Sequence, residues 1–305
     1  MNVMDKHIFG FIENCLYNKN LDEKTVGSYK IDLKQFFEFS GFEYNKEKTE
    51  SYIAHLCKSH KTKTIKRKIA TLKTFTKFLI SEKIIRANPF DEIKTDFKEP
   101  LIAPQTVSIN VICEILKSAY HNLSIAVSDY EKMCAIRDVA VLELLFSTGA
   151  LVSEICSLKP EDVNINGGYI KIRGKGSRER VIHIGNKDVM LSLSQYYDKF
   201  EELINATGFF FVNKLHKRLS EQSVRVIVNR HAVNSGFEKH ITPNMLRHSF
   251  ATLLLEEDVD IRQIQKILGH SSITTTQAYT RAPALKTTGI FIDKHPRNRM
   301  KFGVK

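Results

Sequence analysis

Two stretches decide the reading of this chain: TPNMLRHSFATLLL (residues 242–255) and LGHSSITTTQAYT (residues 268–280). In the first, Thr242 followed by Pro243 marks a helix start, a side-chain cap and then a residue with preset φ and no amide to satisfy. Arg247 falls in the early turns of that helix. The second stretch opens where another helix closes. Ile261, Ile264, Ile267 and Leu268 line its inner face, and Gly269 supplies the left-handed residue that ends it. His270 then sits on the turn just past that end, and Tyr279 on a short helix after residues 274–276.

Arg247, His270 and Tyr279 follow one another at intervals of 23 and 9 residues. Singly, each has an ordinary explanation: a tyrosine in a core, a histidine at a cap, an arginine in an ion pair. Together they carry what metal-free attack on a phosphodiester needs. A guanidinium forks onto the non-bridging oxygens, an imidazole donates or positions a proton, and a phenol is the nucleophile.

Charge points to the same class of partner. Among 305 residues, 46 Lys+Arg stand against 34 Asp+Glu, for a net charge of +12. The surplus is shared between the N-terminal third and the remainder rather than held in a tail. A polyanion such as nucleic acid is the expected partner. The five cysteines (Cys15, Cys57, Cys113, Cys134 and Cys156) are scattered without CxxC spacing, which favours reduced thiols and no zinc site. The N-terminus has no uninterrupted apolar run, and VAVLELLF (139–146) is far too short to span a bilayer. A soluble, cytoplasmic protein with no membrane partner is expected.

Residues 5–97 read as helical, closed by NPF at 88–90. Thr25 is the expected cap of VGSYKIDLKQFFEFS, and Gly41 its stop. TIKRKIATLKTFTKFLISEK (64–83) places Ile65, Ile69, Leu72, Phe75 and Leu79 on one stripe. Lys63, Lys66, Arg67, Lys73 and Lys77 lie on the other side, either a solvated face or a helix laid along DNA phosphates. DFKEPLIAPQ (96–105), with two prolines, reads as a linker. Beyond it, an apolar helix over 130–146 breaks at Ser147-Thr148-Gly149, and VSEICSL (152–158) forms a short helix. GGYIKIR and RERVIHI flank GKGS (174–177) as a β-hairpin.

These strings resemble the tyrosine recombinase, or phage integrase, family. LRHSFAT and LGHSSITTTQAYT are similar to its active-site motifs at most positions. SYKIDLKQFFEF and TIKRKIATLKTFTKFL resemble its core-binding domain, and FSTG with VSEICSLKPEDV the start of its catalytic domain. The resemblance covers roughly residues 5–285 and is to the compact, Xer-like members.

It implies a mainly α fold: a helical, SAM-like core-binding domain over 1–98, a linker over 99–106, and a catalytic domain over 107–285. The catalytic domain would be mixed α/β and largely helical, with a small antiparallel sheet. Residues 286–305 would form a tail, exchanged between protomers in such proteins, with Ile290, Phe291 and Ile292 as its docking residues. The resemblance further implies site-specific recombination. Tyr279 would attack the scissile phosphate and leave a 3′-phosphotyrosyl bond. Lys175, on the hairpin, would protonate the 5′-oxygen. Arg247 and His270 would hold the phosphate oxygens, with Glu154 in support. Neither a metal nor a cofactor is needed. The implied partners are duplex DNA with inverted-repeat core sites and a homotetramer assembled on it.

Two positions depart from the family. Leu151, in STGALVSE, stands where its first arginine belongs, and a leucine cannot neutralise phosphate. Asn244 stands at the usual histidine, three residues before Arg247, where an amide still hydrogen-bonds. Losing an oxyanion donor or a catalytic arginine costs roughly 10²–10⁵ in rate. Three readings remain open. Arg137, Arg173 or Arg281 compensates; the enzyme is slow; or the chain is an accessory subunit beside an intact recombinase. A type IB topoisomerase would share the chemistry.

Overall fold

The computed structural model describes residues 3–97, 104–174, 179–269 and 294–300. The chain divides into two compact units, residues 1–102 and 103–305, each with its own hydrophobic core.

The first unit holds four α-helices: α1 (Val3–Glu13), α2 (Glu23–Ser40), α3 (Lys46–Ser59) and α4 (Thr62–Ser81). A π-helical turn, Asn14–Asn18, prolongs α1. The α2 helix starts earlier than the Thr25 cap predicts, because the Asp22 carboxylate accepts the Lys24 amide at 2.8 Å. It ends as expected at Gly41, in the left-handed region at φ 67°. Helix does not continue to NPF: α4 stops at Ser81, Lys83 turns at φ 57°, and no helix follows through residue 97. The predicted stripe of α4 is buried throughout. Phe75 from that stripe meets Phe11 edge-on at 5.2 Å. Buried in the same unit, Asp32 accepts from Lys68 at 3.1 Å, from Thr71 at 3.0 Å and from Arg67. An otherwise costly buried carboxylate is thereby satisfied.

The second unit is built around one helix. Its helices are α5 (Ile109–Ile125), α6 (Asp129–Thr148), α7 (Val152–Cys156), α8 (Lys187–Thr207), α9 (Glu221–Asn234), α10 (Pro243–Glu256) and α11 (Ile261–Leu268). A capping box of Ser128 and Glu131 starts α6, and every residue from Asp138 to Thr148 is buried. This stretch shows no solvent-facing side, and α5, α8 and α10 pack around the helix. Gly149 ends it at φ 57°.

The predicted hairpin forms from β2 (Tyr169–Arg173) and β3 (Glu179–His183), with Ile170 opposite Ile182 and Ile172 opposite Arg180. Its turn, residues 175–178, lies outside the described residues. A two-residue strand, β1 (Val163–Asn164), adds to β2 to complete a three-stranded antiparallel sheet. It is too short to leave an alternation in the sequence. Residues 294–300 pack onto α6, where Arg297 and Glu143 form a fully buried ion pair with both hydrogen bonds at 2.8 Å. Among the described residues no helix is long and apolar enough to cross a membrane.

Candidate active site

Arg247 is placed by the helix start read from the sequence. Thr242 Oγ1 accepts the Met245 amide at 3.3 Å, Pro243 follows as the first helical residue, and Arg247 enters the interior one turn later. Its side chain is buried, with only 5% of the residue exposed. Nη1 donates to the Gly149 carbonyl at 2.6 Å and Nη2 to the Leu268 carbonyl at 2.7 Å. The guanidinium thus joins the end of α6 to the last turn of α11. Both of these acceptors are carbonyls, and together they orient the guanidinium. Gly149 has no alternative here: a Cβ would stand 2.5 Å from Phe250 Cδ1 and 2.8 Å from Leu268 Cδ2.

Leu151 follows two residues later as the residue before α7, 39% exposed. Its amide donates to Glu154 Oε2 at 2.8 Å, so the backbone of this turn keeps a polar role that the side chain lacks. Glu154 is itself buried and engaged by Arg180, Nη1 to Oε1 at 2.8 Å and Nη2 to Oε2 at 2.7 Å. Arg180 Nε donates in addition to the Ile267 carbonyl at 2.6 Å. Asn244 is exposed near the start of α10, three residues before Arg247. The structure therefore brings Arg247, Leu151 and Glu154 to one pair of turns, 149–154 and 267–269. His270 continues directly from the second turn but lies, with Tyr279 and Lys175, outside the described residues.

Sequence reasoning misses Arg180, although a signal for it exists. In β3 it shares a face with Ile182, which is buried, and it pairs across the hairpin with Ile172, also buried. A charged residue on the inward face of a strand needs a carboxylate partner, and Glu154 is that partner. Two of the cations that would substitute for the missing arginine are committed elsewhere. Arg137 holds Asp138 at 2.9 Å and Arg173 holds Asp162 at 2.9 Å. Arg281 lies outside the described residues.

In the first unit, Lys63, Lys66, Arg67 and Lys77 are exposed on one face of α4. Arg67 also reaches Asp32. Lys73 is drawn inward: its ammonium donates to Thr95 Oγ1 at 2.6 Å and stands 5.6 Å above the Phe90 ring. Within the predicted group, Lys73 therefore serves the packing of this unit.

A model of the phage integrase family matches residues 116–285, and one of the family's N-terminal SAM-like domain matches residues 8–83. The chain is 45% identical to a tyrosine recombinase of Agathobacter rectalis, over 99% of this chain and 100% of the relative. It is 33% identical to the tyrosine recombinase XerC of Leptospira interrogans, covering 95% of this chain and 93% of that one. Among solved structures, the XerH site-specific recombinase bound to its difH substrate matches with a TM-score of 0.69 at 21% identity, over 90% of this chain and 81% of that one. A lambda integrase dimer bound to a COC′ core site matches with a TM-score of 0.66 at 18% identity, over 94% of this chain and all of that one. These likenesses give the same fold, and with the family model and the full-length relative they establish that the chain belongs to the phage integrase family, the tyrosine recombinases.

Proposed function

We propose that this chain cuts and rejoins duplex DNA at a specific site through a phosphotyrosyl bond to Tyr279. The tyrosyl oxygen attacks the scissile phosphorus as its phenolic proton passes to solvent, a P–O bond to Tyr279 forms, and the bond from phosphorus to the 5′-oxygen breaks. Lys175 gives the departing oxygen its proton. The energy of the broken bond stays in the new ester, so attack by a 5′-hydroxyl from the partner strand reseals the DNA and releases Tyr279. Arg247 and His270 hold the non-bridging oxygens while charge builds on them.

The observation that supports this reading most directly is the fixing of Arg247. A buried guanidinium held by Gly149 and Leu268 is preorganised, and its reorganisation before the chemical step is correspondingly small. The substrate is duplex DNA with inverted core sites, the working assembly a homotetramer, and the compartment the cytoplasm. The relatives of known structure bound to a substrate or core site are consistent with the first of these.

Leu151 supports a second reading, a subunit slowed in cleavage that works beside an intact recombinase. No hydrogen bond to phosphate is available from its side chain. One experiment separates the two. A nicked duplex carrying the inverted repeat selected from a random-sequence library traps the covalent adduct. The native chain should form it, Tyr279→Phe should bind the same DNA without forming it, and Leu151→Arg should form it faster. Adduct in Tyr279→Phe refutes the assigned nucleophile. Binding without adduct in the native chain, with adduct in Leu151→Arg, establishes the second reading.

A further inference from the structure

Arg180 and Arg247 grip the same two turns from different elements. Arg247, on α10, joins the Gly149 carbonyl to the Leu268 carbonyl. Arg180, on β3, joins Glu154 to the Ile267 carbonyl, one residue earlier in α11. Successive carbonyls of the last turn of α11 are thus held by two guanidinium groups. This is the end of a helix where carbonyls lack intrahelical partners and where cations are favoured.

The following residue lies equally close. Gly269 turns at φ 70°, and a Cβ there would lie 2.8 Å from Arg180 Nη1. Any larger residue would push the guanidinium off Glu154 or the turn away from Arg180. Glu154 fixes the other side of the arrangement. Its Oε2 accepts from Arg180 and from the Leu151 amide, so the turn that carries the family's missing arginine and the turn that precedes His270 share one carboxylate and one guanidinium. Both side chains are largely buried, at 11% and 8% exposure, so the pair is little screened by solvent.

We infer that Arg180 is a positioning residue for strand cleavage: through Glu154 and the Ile267 carbonyl it fixes the turn from which the chain passes into His270. It acts by geometry, and displacement of a catalytic group by about 1 Å costs about 10²-fold in rate. A lysine cannot replace it, because a single ammonium has no planar fork to span a carboxylate and a carbonyl together. The inference rests on the reading of the site given above, and its test is arranged so that either can fail alone.

Arg180→Ala, Arg180→Lys, Glu154→Gln and the double variant Arg180→Ala/Glu154→Gln are compared with the native chain in single-turnover adduct formation, in affinity for the same nicked duplex, and in amide hydrogen exchange. Arg180→Ala should lose about 10²-fold in rate with affinity changed less than about twofold, and Arg180→Lys should recover little of it. The double variant should be no slower than the worse single one, as expected of residues that act as a unit. Exchange at residues 266–269 should rise while the helix of Arg247 keeps its protection. Native rate in Arg180→Ala, additive losses, or unchanged exchange at 266–269 each overturns the inference. A fall in affinity parallel to the fall in rate assigns Arg180 to DNA binding and overturns it as well. Should Arg180→Ala fail to fold, Arg180→Lys carries the same comparisons. If the native chain forms no adduct, the proposed function fails, and hydrogen exchange, which needs no chemistry, still decides whether Arg180 fixes the turn at 266–269.

Discussion

Gly149 is the residue on which packing and chemistry meet. Its φ of 57° lets α6 end where it does, its missing side chain makes room for Phe250 and Leu268, and its carbonyl holds Arg247. Gly149→Ala should cost about 1–2 kcal/mol for the left-handed backbone and about 1–3 kcal/mol more for overpacking. Gly208, which ends α8 at φ 68° with nothing within 4 Å of its would-be Cβ, provides the internal control. Gly208→Ala should show only the backbone cost. Urea denaturation of both variants measures the difference. Equal destabilisation would mean that Phe250 and Leu268 give way freely, and that the close packing does not matter. The Gly149 variant should also cleave more slowly, since its carbonyl cannot shift without moving Arg247.

Helix α4 separates what the sequence could tell from what it could not. Its buried stripe was legible because a helix facing one core repeats its apolar residues at a fixed period, and each predicted position is buried. The same logic recovers the hairpin, the caps at Thr242 and Gly41, and the break at Gly149. What escaped depends on distant partners. Arg180 looks like any strand arginine until Glu154 is beside it, and β1 is two residues long. The helix end at Ser81, well before NPF, depends on a local turn at Lys83 rather than on proline. Likewise Lys73, although it belongs to the basic row by spacing, is recruited by Thr95 and Phe90. The row that remains is exposed at Lys63, Lys66 and Lys77. Replacing these three with alanine should weaken DNA binding and reduce the slope of log K against log salt by about 0.9 for each phosphate no longer neutralised. Folding stability should move by no more than about 0.5 kcal/mol for each substitution, as usual for surface positions. Arg67 is left in place because its ion pair with buried Asp32 would confound the result. An unchanged salt slope would make the face merely solvated.

At the scale of the molecule, residues 294–300 are built into the second unit beside α6. The Arg297–Glu143 pair is wholly buried, and the Tyr120 hydroxyl donates to the same carboxylate at 2.7 Å. His295 adds a pH dependence to this arrangement. Its Nε2 donates to the Ser147 carbonyl at 2.8 Å, in the last turn of α6, while Nδ1 accepts the Arg297 amide at 3.1 Å. Those partners specify the neutral ring. Protonating Nδ1 would set two donors against each other, in a buried site beside the Arg297 guanidinium. Burial, with Arg297 adding to it, accordingly lowers the His295 pKa to about 4. In the unfolded chain the ring titrates near about 6.5. Above that value both states are neutral and His295 contributes no pH dependence. As pH falls from about 6.5 to about 4, the unfolded chain takes up a proton that the folded chain refuses, so stability declines. The full difference is on the order of 3 kcal/mol, complete only below about pH 4. At about pH 5, about 2 kcal/mol should already be gone from this residue alone. His295→Gln removes the titration. Urea midpoints of the native chain and this variant, taken at about pH 7.5 and about pH 5, should therefore differ less at the lower pH than at the higher. A gap independent of pH would mean that His295 is protonated as readily in the folded chain as in the unfolded one, and that the 294–300 segment is not seated against Ser147 in solution.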